Sequence, residues 1–313
     1  MRYYIRKASG LIVTLVLISL VTFLVFQILP GNPAEIILGV DADEQQIKAL
    51  ERELDLDKPI AERYMLWLSG LVRGDLGTSV RYHQPVSALI ADAMKVTATL
   101  ALFTIILTVL IGIPVGTVLA RYSGKKAVLP LSVFSQLALS IPSFCMGIFL
   151  ISIFSVHFKW FPSISYVPLS DGFLESFHSL LLPSLSIALG SGAILARYVR
   201  VSLTNAASAD YVRTARSKGL SRWGVIIHHV LRNGMIPVIT ILGILIADIL
   251  GGSIITENIF SLPGIGRLIT VSINSRDLPL IQALVLYLAL IVVVCNAVTD
   301  LIYSLIDPRV RVK

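Results

Sequence analysis

Residues of the types that carry enzyme chemistry occur in this chain, but not at the spacings that catalysis or metal binding requires. The sequence contains no Gly-x-Ser-x-Gly nucleophile motif, no His-Glu-x-x-His zinc motif and no glycine-rich phosphate loop ending in Lys-Ser/Thr. His228 and His229 are adjacent, so on a helix they point about 100° apart and do not readily share one metal ion. We therefore expect a chain that is not an enzyme and binds no cofactor or metal by itself.

Polar side chains within apolar segments are the remaining candidates for chemistry. Asp248 is the one acid in the apolar segment 233–256. A carboxylate inside a membrane span costs at least ~2.5 kcal/mol to insert and usually faces a cavity or a partner. Two interpretations remain open: Asp248 lines a pathway and attracts an ammonium group or metal cation, or it pairs with a neighbouring helix. A second set of candidate lining residues surrounds a kink expected at Pro142: Gln136, Ser140 and Ser143.

The elements that must position these residues are apolar segments long enough to cross a bilayer. Of the 313 residues, 55% are hydrophobic and 14% are charged, whereas soluble domains have about 25% charged residues. Crossing ~30 Å of hydrocarbon takes about 20 residues in a helix. The third qualifying segment is long enough to cross the bilayer and then continue along its surface beyond Pro142. Six segments qualify: 8–29, 96–120, 127–158, 176–196, 233–256 and 278–299.

Lysine and arginine residues indicate the side of the membrane on which each loop lies, because cytoplasmic loops carry an excess of them. They cluster before the first span, at 121–126, at 197–232 and in the tail 307–313, so every second loop is basic. The sequence predicts an all-α integral membrane protein with six transmembrane helices and both termini in the cytoplasm. The net charge of +7 is thereby assigned to the cytoplasmic face and not to a nucleic-acid site.

The longest loop follows the first span and contains helical patterns of its own. Amphipathic stretches at 43–54 and 61–72 predict two short helices. A structured insertion of this size suits a docking surface or a gate cap, and a passive cap over the helix ends is the alternative. The predicted division of the chain is a cytoplasmic N-terminus with the first helix (1–30), an extracytoplasmic helical insertion (31–95), a five-helix membrane core (96–306) and a cytoplasmic tail (307–313).

Small residues recur at four-residue spacing in three of the spans. Such spacing lets membrane helices approach closely, so helix packing is the expected role and lining of a cargo pathway is the alternative. Smooth faces would also suit helices that move past each other. The sets are Gly112 and Gly116; Ala188, Gly192 and Ala196; and Gly243, Ala247 and Gly251.

The loop 206–223, between the fourth and fifth spans, has a pattern that indicates an interaction helix. Asp210 is placed to cap a short helix, and Gly219 is placed to end it because glycine readily takes a positive φ. Apolar residues fall on one flank and basic residues elsewhere, which suits a groove on a partner protein. A basic loop that only follows the sidedness rule is the alternative. The candidate residues are Asp210, Tyr211, Val212, Arg213, Thr214, Ala215, Arg216, Ser217, Lys218 and Gly219.

The segment from Tyr211 to Gly219, Tyr-Val-Arg-Thr-Ala-Arg-Ser-Lys-Gly, resembles the EAA-loop signature of ABC-importer permeases in the dipeptide/oligopeptide/nickel family. The general signature has Glu-Ala-Ala where this chain has Arg-Thr-Ala, a departure that is usual in the peptide/nickel branch. The whole chain is similar to the first of two permease subunits, which carries a large extracytoplasmic insertion after its first span. Further family landmarks match at 29–33, 74–79, 257–267 and 307–311.

The resemblance implies a permease subunit of a binding-protein-dependent importer in the bacterial inner membrane. A second homologous permease would complete the pathway through the lipid bilayer, and a substrate-binding protein would deliver di- or oligopeptides, or nickel that is free or chelated. Two ATPase subunits would bind ATP and Mg²⁺. The segment Asp210–Gly219 would be the coupling helix, which converts ATP-driven closure of the ATPases into alternating access. No nucleic-acid partner is implied.

A second class of function remains open, namely a stand-alone secondary transporter or channel for a small cationic solute. Such a protein would be expected to show several ionisable groups within its spans and inverted internal repeats. The spans of this chain offer one acid near the middle of a helix, Asp248.

Overall fold

A computed structural model describes residues 2–28, 34, 38, 43–53, 57–225 and 230–306. Within these ranges the chain forms helices joined by loops and no β-sheet. His228 and His229, the tail 307–313 and residues 29–33 lie outside the described residues. The helices are α1 (Arg2–Ile28), α2 (Glu44–Glu53), α3 (Ile60–Val72), α4 (Val86–Arg121), α5 (Leu129–Ser140), α6 (Ser143–Leu150), α7 (Phe173–Ala207), α8 (Asp210–Ser217), α9 (Arg222–Val225), α10 (Arg232–Gly252), α11 (Ile254–Ile259), α12 (Ile265–Asn274) and α13 (Leu278–Ile306).

Five spans in the described part of the chain are long and apolar enough to cross a membrane. They lie in α1, α4, α7, α10 with its continuation α11, and α13. The third predicted segment forms two helices, α5 and α6, that are bent by 107° and make a sixth candidate if counted together. The predicted all-α membrane protein is confirmed. The orientation with both termini in the cytoplasm stays a prediction.

The break between α5 and α6 lies at Pro142, where the sequence predicts a kink. Proline has no N–H to donate, and its ring disfavours the helical conformation at the residue before it. Ile141 is accordingly extended, with φ −90° and ψ 121°. The chain becomes helical again at Ser143 and continues beyond α6 as a π-helical turn over Ile151–His157. One apolar segment therefore gives two short helices at a steep angle.

The described residues group into two compact units. One contains the residues up to Lys95 together with Pro263–Val293, and the other contains Val96–Leu262 together with the residues from Val294 onward. Helix α7 lies at the centre of the second unit, where it packs against α5, α6 and α10. Its side chains join the main apolar core of that unit, which includes Leu100, Phe103, Leu180, Leu182, Ile249, Phe260 and Leu262.

Two glycines of α4 allow this helix to touch α7 backbone to backbone. A Cβ atom added at Gly116 would lie 2.6 Å from the carbonyl oxygen of Ala196, and one at Gly112 would lie 2.9 Å from that of Gly192. Both distances are shorter than van der Waals contact, so only glycine fits at either position. Gly243 is similarly in contact with the side chain of Thr299. Gly112, Gly116 and Gly243 therefore lie at close helix contacts, as their spacing predicts.

In the other unit, a buried carboxylate joins a loop to the start of α13. Asp277 is fully buried, and its Oδ1 accepts a hydrogen bond from the N–H of Leu280 at 3.3 Å. Its Oδ2 accepts one from Ser79 Oγ at 2.5 Å and one from the N–H of Arg81 at 3.2 Å. Asp277 thus caps α13 and fixes the loop that precedes α4. The sequence pattern around Asp277 does not predict this role.

We expect Gly116→Ala to destabilise the protein, because the added methyl would overlap the Ala196 carbonyl. Overpacking of this kind typically costs about 1–3 kcal/mol, whereas alanine is otherwise the better helix former. Gly10→Ala is the matched control, since a Cβ at Gly10 of α1 meets nothing within 4 Å. Thermal unfolding of the purified protein should show a lower midpoint for Gly116→Ala alone. Equal midpoints for the two variants would show that the α4–α7 contact is not tight.

Candidate functional site

The interaction helix expected in the loop 206–223 is present as α8, Asp210–Ser217. Asp210 is its first residue, and the N–H of Val212 already donates to the carbonyl of Ala209 at 3.0 Å. Gly219 follows the helix with φ +82°, and the N–H of Leu220 donates back to the carbonyl of Ala215 at 3.4 Å. This geometry is the usual glycine-terminated helix end. The helix therefore ends at Ser217, and Gly219 turns the chain away from the helix axis two residues later.

One flank of α8 is buried within the chain itself. Val212 is 1% exposed and Ala215 is 6% exposed, and residues three positions apart lie on the same side of a helix. Both pack into an apolar cluster that contains residues of α7 and α10. The apolar flank of α8 is therefore occupied inside the chain and does not provide the surface for a partner. The other buried members of the cluster are Leu195, Val199, Leu203, Val225, Val230, Val238 and Leu245.

The rest of the α8 surface faces outward. The exposed residues include Tyr211, Thr214, Ser217 and Lys218, and Gly219 is exposed beyond the helix end. Arg213 and Arg216 belong to the helix, but their side chains lie outside the described part of the chain. The exposed flank is polar and carries one aromatic ring, a composition that protein interfaces commonly use at their contact points.

A close contact between α7 and α10 closes the base of the loop that carries α8. Ser202 Oγ on α7 donates a hydrogen bond to the carbonyl of Gly234 on α10 at 2.5 Å. A Cβ atom at Gly234 would lie 2.8 Å from Cδ2 of Leu203, so the two helices are in contact at this point. Helix α8 is consequently held on a rigid base, and a displacement of α8 is expected to move the ends of α7 and α10.

The predicted pathway residue Asp248 lies on α10 with its side chain exposed on the surface of the single chain. Its neighbours Ala247 and Ile249 are buried. Among the residues that the structure describes, no hydrogen bond or ion pair to Asp248 is present. The carboxylate thus points away from the helices of its own chain, as a group that faces a pathway or another subunit would.

The second set of predicted lining residues lies on both sides of the Pro142 bend. Gln136 and Ser140 are exposed on α5, and Ser143 is half-buried at the first position of α6. Ser140 Oγ donates to the carbonyl of Gln136 at 3.0 Å, so this hydroxyl is already bonded within its own helix. The bend separates Ser143 from the other two.

A buried carboxylate that the sequence pattern does not single out lies on α11. Glu257 is fully buried, and its Oε1 accepts hydrogen bonds from Thr97 Oγ1 at 2.8 Å and from Ser253 Oγ at 2.9 Å. The bond from Thr97 connects α11 to α4, and the bond from Ser253 is local to the start of α11. Glu257 lies one residue beyond the apolar segment 233–256, so the sequence pattern placed it in a loop. In the structure the span extends over Pro237–Ile259 and includes Glu257. An acid within a span indicates a partner or a cavity, so a longer predicted span would have identified this residue.

Comparison with known proteins supports the membrane-subunit prediction over the whole chain. Residues 112–312 match the family described as binding-protein-dependent transport system inner membrane component. Residues 1–101 match the corresponding N-terminal family of these membrane components. Together the two matches include α1, the insertion and the membrane core.

Curated relatives of similar length carry consistent names. The chain is 36% identical over 313 residues to the glutathione transport system permease protein GsiC of Shigella flexneri, with 100% of both chains covered. It is 35% identical over 309 residues to a protein of Sinorhizobium fredii named probable peptide ABC transporter permease protein, with 99% of both chains covered. These relatives are permease subunits, and the prediction of a non-catalytic membrane subunit is confirmed.

Solved structures share the fold at low sequence identity. An inward-facing form of the MetNI methionine ABC transporter matches with a TM-score of 0.58 at 16% identity, over 70% of this chain and 96% of that chain. A crystal structure described as an amino acid ABC transporter with histidines matches with a TM-score of 0.52 at 18% identity, over 71% of this chain and 94% of that chain. The shared fold, the similar chain lengths and the sequence identity all indicate the same family. The chain is a multi-pass inner membrane protein that belongs to the family of inner membrane components of binding-protein-dependent transport systems.

Proposed function

We propose that this chain is one of two permease subunits of an ATP-driven importer for di- or oligopeptides, and that α8 is its coupling helix. The observation that carries the proposal is the division of α8 into two flanks. Val212 and Ala215 are buried against α7 and α10, while Tyr211, Thr214 and Lys218 are exposed. One side is therefore fixed to the membrane helices and the other is available to an ATPase.

The proposed coupling depends on differential contacts in two states of the transporter. ATP can bias the equilibrium between outward- and inward-facing arrangements only if the ATPases contact α8 differently in each. A short helix that is packed along its length transmits such a difference to α7 and α10, whereas a slack loop would absorb it. ATP and Mg²⁺ would bind to the ATPase subunits and not to this chain.

Peptides are the cargo that the comparisons support best. The two curated relatives described above are named for peptide and for glutathione transport. These names favour peptides over nickel, which the sequence analysis left as an equal alternative. A separate substrate-binding protein would select the peptide outside the membrane and deliver it to the two permeases. A stand-alone transporter or channel is not favoured, because the similarity to ABC transporter permeases extends over the whole chain.

We further propose that Asp248 contributes to the cargo pathway between the two permeases. The carboxylate is exposed on the surface of the single chain although it lies within the apolar span of α10. A charge at this depth is costly in contact with lipid and is expected to face water or a partner. A negative group on the pathway would attract the ammonium group at the N-terminus of a peptide.

For the coupling helix, we expect the double variant Tyr211→Ala, Lys218→Ala to weaken ATPase binding about ten-fold, because a combined loss of about 1.4 kcal/mol from two truncated contact residues corresponds to that factor. Co-purification of the cognate ATPase subunits and ATP-dependent peptide uptake should both fall. The thermal stability of the permease should change less than in Val212→Ala, since Tyr211 is 39% exposed, Lys218 is exposed and Val212 is buried.

Two further variants separate binding from folding at this helix. Lys126→Ala changes an exposed basic residue in the other predicted cytoplasmic loop and should leave ATPase binding intact. Val212→Ala removes a buried side chain and should lower the unfolding midpoint of the permease itself. Unchanged ATPase co-purification and unchanged uptake in the Tyr211/Lys218 variant would refute the assignment of α8 as the coupling helix.

For the pathway, we expect Asp248→Asn to reduce uptake of a peptide with a free N-terminus about ten-fold, because hydrogen bonds to charged groups contribute roughly 1.5–3 kcal/mol. Uptake of the same peptide with an acetylated N-terminus should be equal in the variant and the wild type. Asp92→Asn serves as the control, since Asp92 is an exposed acid paired with Lys95 at 2.8 Å. An equal loss of complex assembly and uptake would instead identify Asp248 as a structural residue.

A further inference from the structure

Helix α3, part of the predicted extracytoplasmic insertion, packs against the middle of the membrane span of α1. The hydroxyl groups of Tyr64 on α3 and Ser19 on α1 are hydrogen-bonded at 2.9 Å. The ring of Phe23 on α1 lies 5.4 Å from that of Tyr64 and 5.6 Å from that of Trp67, centroid to centroid. Ser19 and Phe23 are 3% and 4% exposed, and their contacts with α3 contribute to this burial.

These contacts fix the depth of α3 in the membrane. The apolar span of α1 is Ser9–Gln27, and at the helical rise Ser19 lies ~15 Å from Ser9 and ~12 Å from Gln27, close to the midplane. Phe23 lies ~6 Å inside the Gln27 end of the span by the same rise. The rings of Tyr64 and Trp67 are therefore at the level of the hydrocarbon and not above the bilayer surface.

The remaining surface of α3 is apolar as well. Met65 is 65% exposed and Val72 is 83% exposed on the side turned away from α1, and Leu66 is also exposed. The one hydroxyl on this side, Ser69 Oγ, donates to the carbonyl of Leu66 at 2.7 Å. No charged residue occurs from Tyr64 to Val72. A helix that is apolar on all sides in its central part is suited to an apolar surrounding and not to water.

Charged residues are confined to the two ends of α3. Glu62 and Arg63 lie in its first turn, and Lys58 pairs with Glu62 at 3.6 Å. Arg73 follows its last residue. With 13 residues the helix is too short to cross the bilayer, which takes about 20 residues. The charged side chains therefore lie at the ends of α3, outside its apolar central part.

We infer that α3 is embedded in the membrane leaflet at the Gln27 end of α1, with its outward face, Met65, Leu66, Ser69 and Val72, in contact with lipid acyl chains. Lipid is favoured over a protein partner because this face has no charged residue and its one hydroxyl, Ser69 Oγ, is bonded to the carbonyl of Leu66 within α3. With the predicted orientation of α1, this leaflet is the outer one. The inference requires only that α1 crosses the membrane, and it does not depend on transport.

Collision measurements on spin labels test this placement. Cysteines replace Met65, Ser69 and Val72 one at a time in a chain in which Cys145 and Cys295 are changed to alanine. The complete transporter is placed in nanodiscs of phosphatidylethanolamine and phosphatidylglycerol. Labels on the outward face of α3 should collide several-fold more with oxygen, which concentrates in acyl chains, than with a water-soluble nickel chelate. Lys48→Cys is the control, because Lys48 is exposed on the charged helix α2, and there the nickel chelate should dominate.

Two results would overturn the inference. Dominant collisions with the nickel chelate at all three positions would place α3 in water. Protection from both reagents would show that another protein subunit covers this face. Ser69→Cys replaces only an oxygen by a sulfur, so the measurement remains decisive even if a larger substitution prevents assembly.

Discussion

Two small apolar side chains, Val212 and Ala215, connect the helix outside the membrane to the helices within it. Their burial in one cluster with α7 and α10 makes α8 a fixed part of the membrane unit rather than an independent loop. Because interiors are close-packed and deform little, a displacement of α8 has to be accommodated by α7 and α10. The burial of Val212 and Ala215 is what allows a force on the exposed side of α8 to reach the membrane helices. Without it, neither the helix end at Gly219 nor the Ser202–Gly234 contact would couple α8 to them.

The same constraint of close packing governs the helices to which α8 is attached. Gly112 and Gly116 bring α4 onto α7 at distances that exclude even a methyl group. Polar groups in this environment must be satisfied by the protein, and Glu257 illustrates the solution, with two hydroxyl donors on its Oε1. Asp248 differs because it points out of the single chain, and this contrast is the reason to place it on a pathway shared with a second subunit.

Much of the fold follows from local sequence pattern. Long apolar runs predicted α1, α4, α7, α10 and α13, and the helix-ending glycine predicted where α8 stops. The roles of Glu257 and Asp277 could not be predicted, because their partners Thr97 and Ser79 are remote in sequence. Sequence also divided α8 into an apolar and a basic flank without showing that the apolar one is occupied within the chain. The proposed depth of α3 could not be predicted either, because it depends on the contact of Tyr64 with Ser19, which is 45 residues away in sequence.

The most direct test of the coupling-helix proposal is thiol labelling at the exposed flank of α8. Cysteines are placed at Thr214 and Ser217 in a chain whose Cys145 and Cys295 are changed to alanine, with Thr204→Cys on α7 as an exposed control. The labelling rate is compared for the permease pair alone and for the assembly with its ATPases. We predict strong protection of positions 214 and 217 in the assembly, a rate that changes on ATP binding, and no protection at position 204. Equal rates at positions 214 and 217 with and without the ATPases would contradict the proposal.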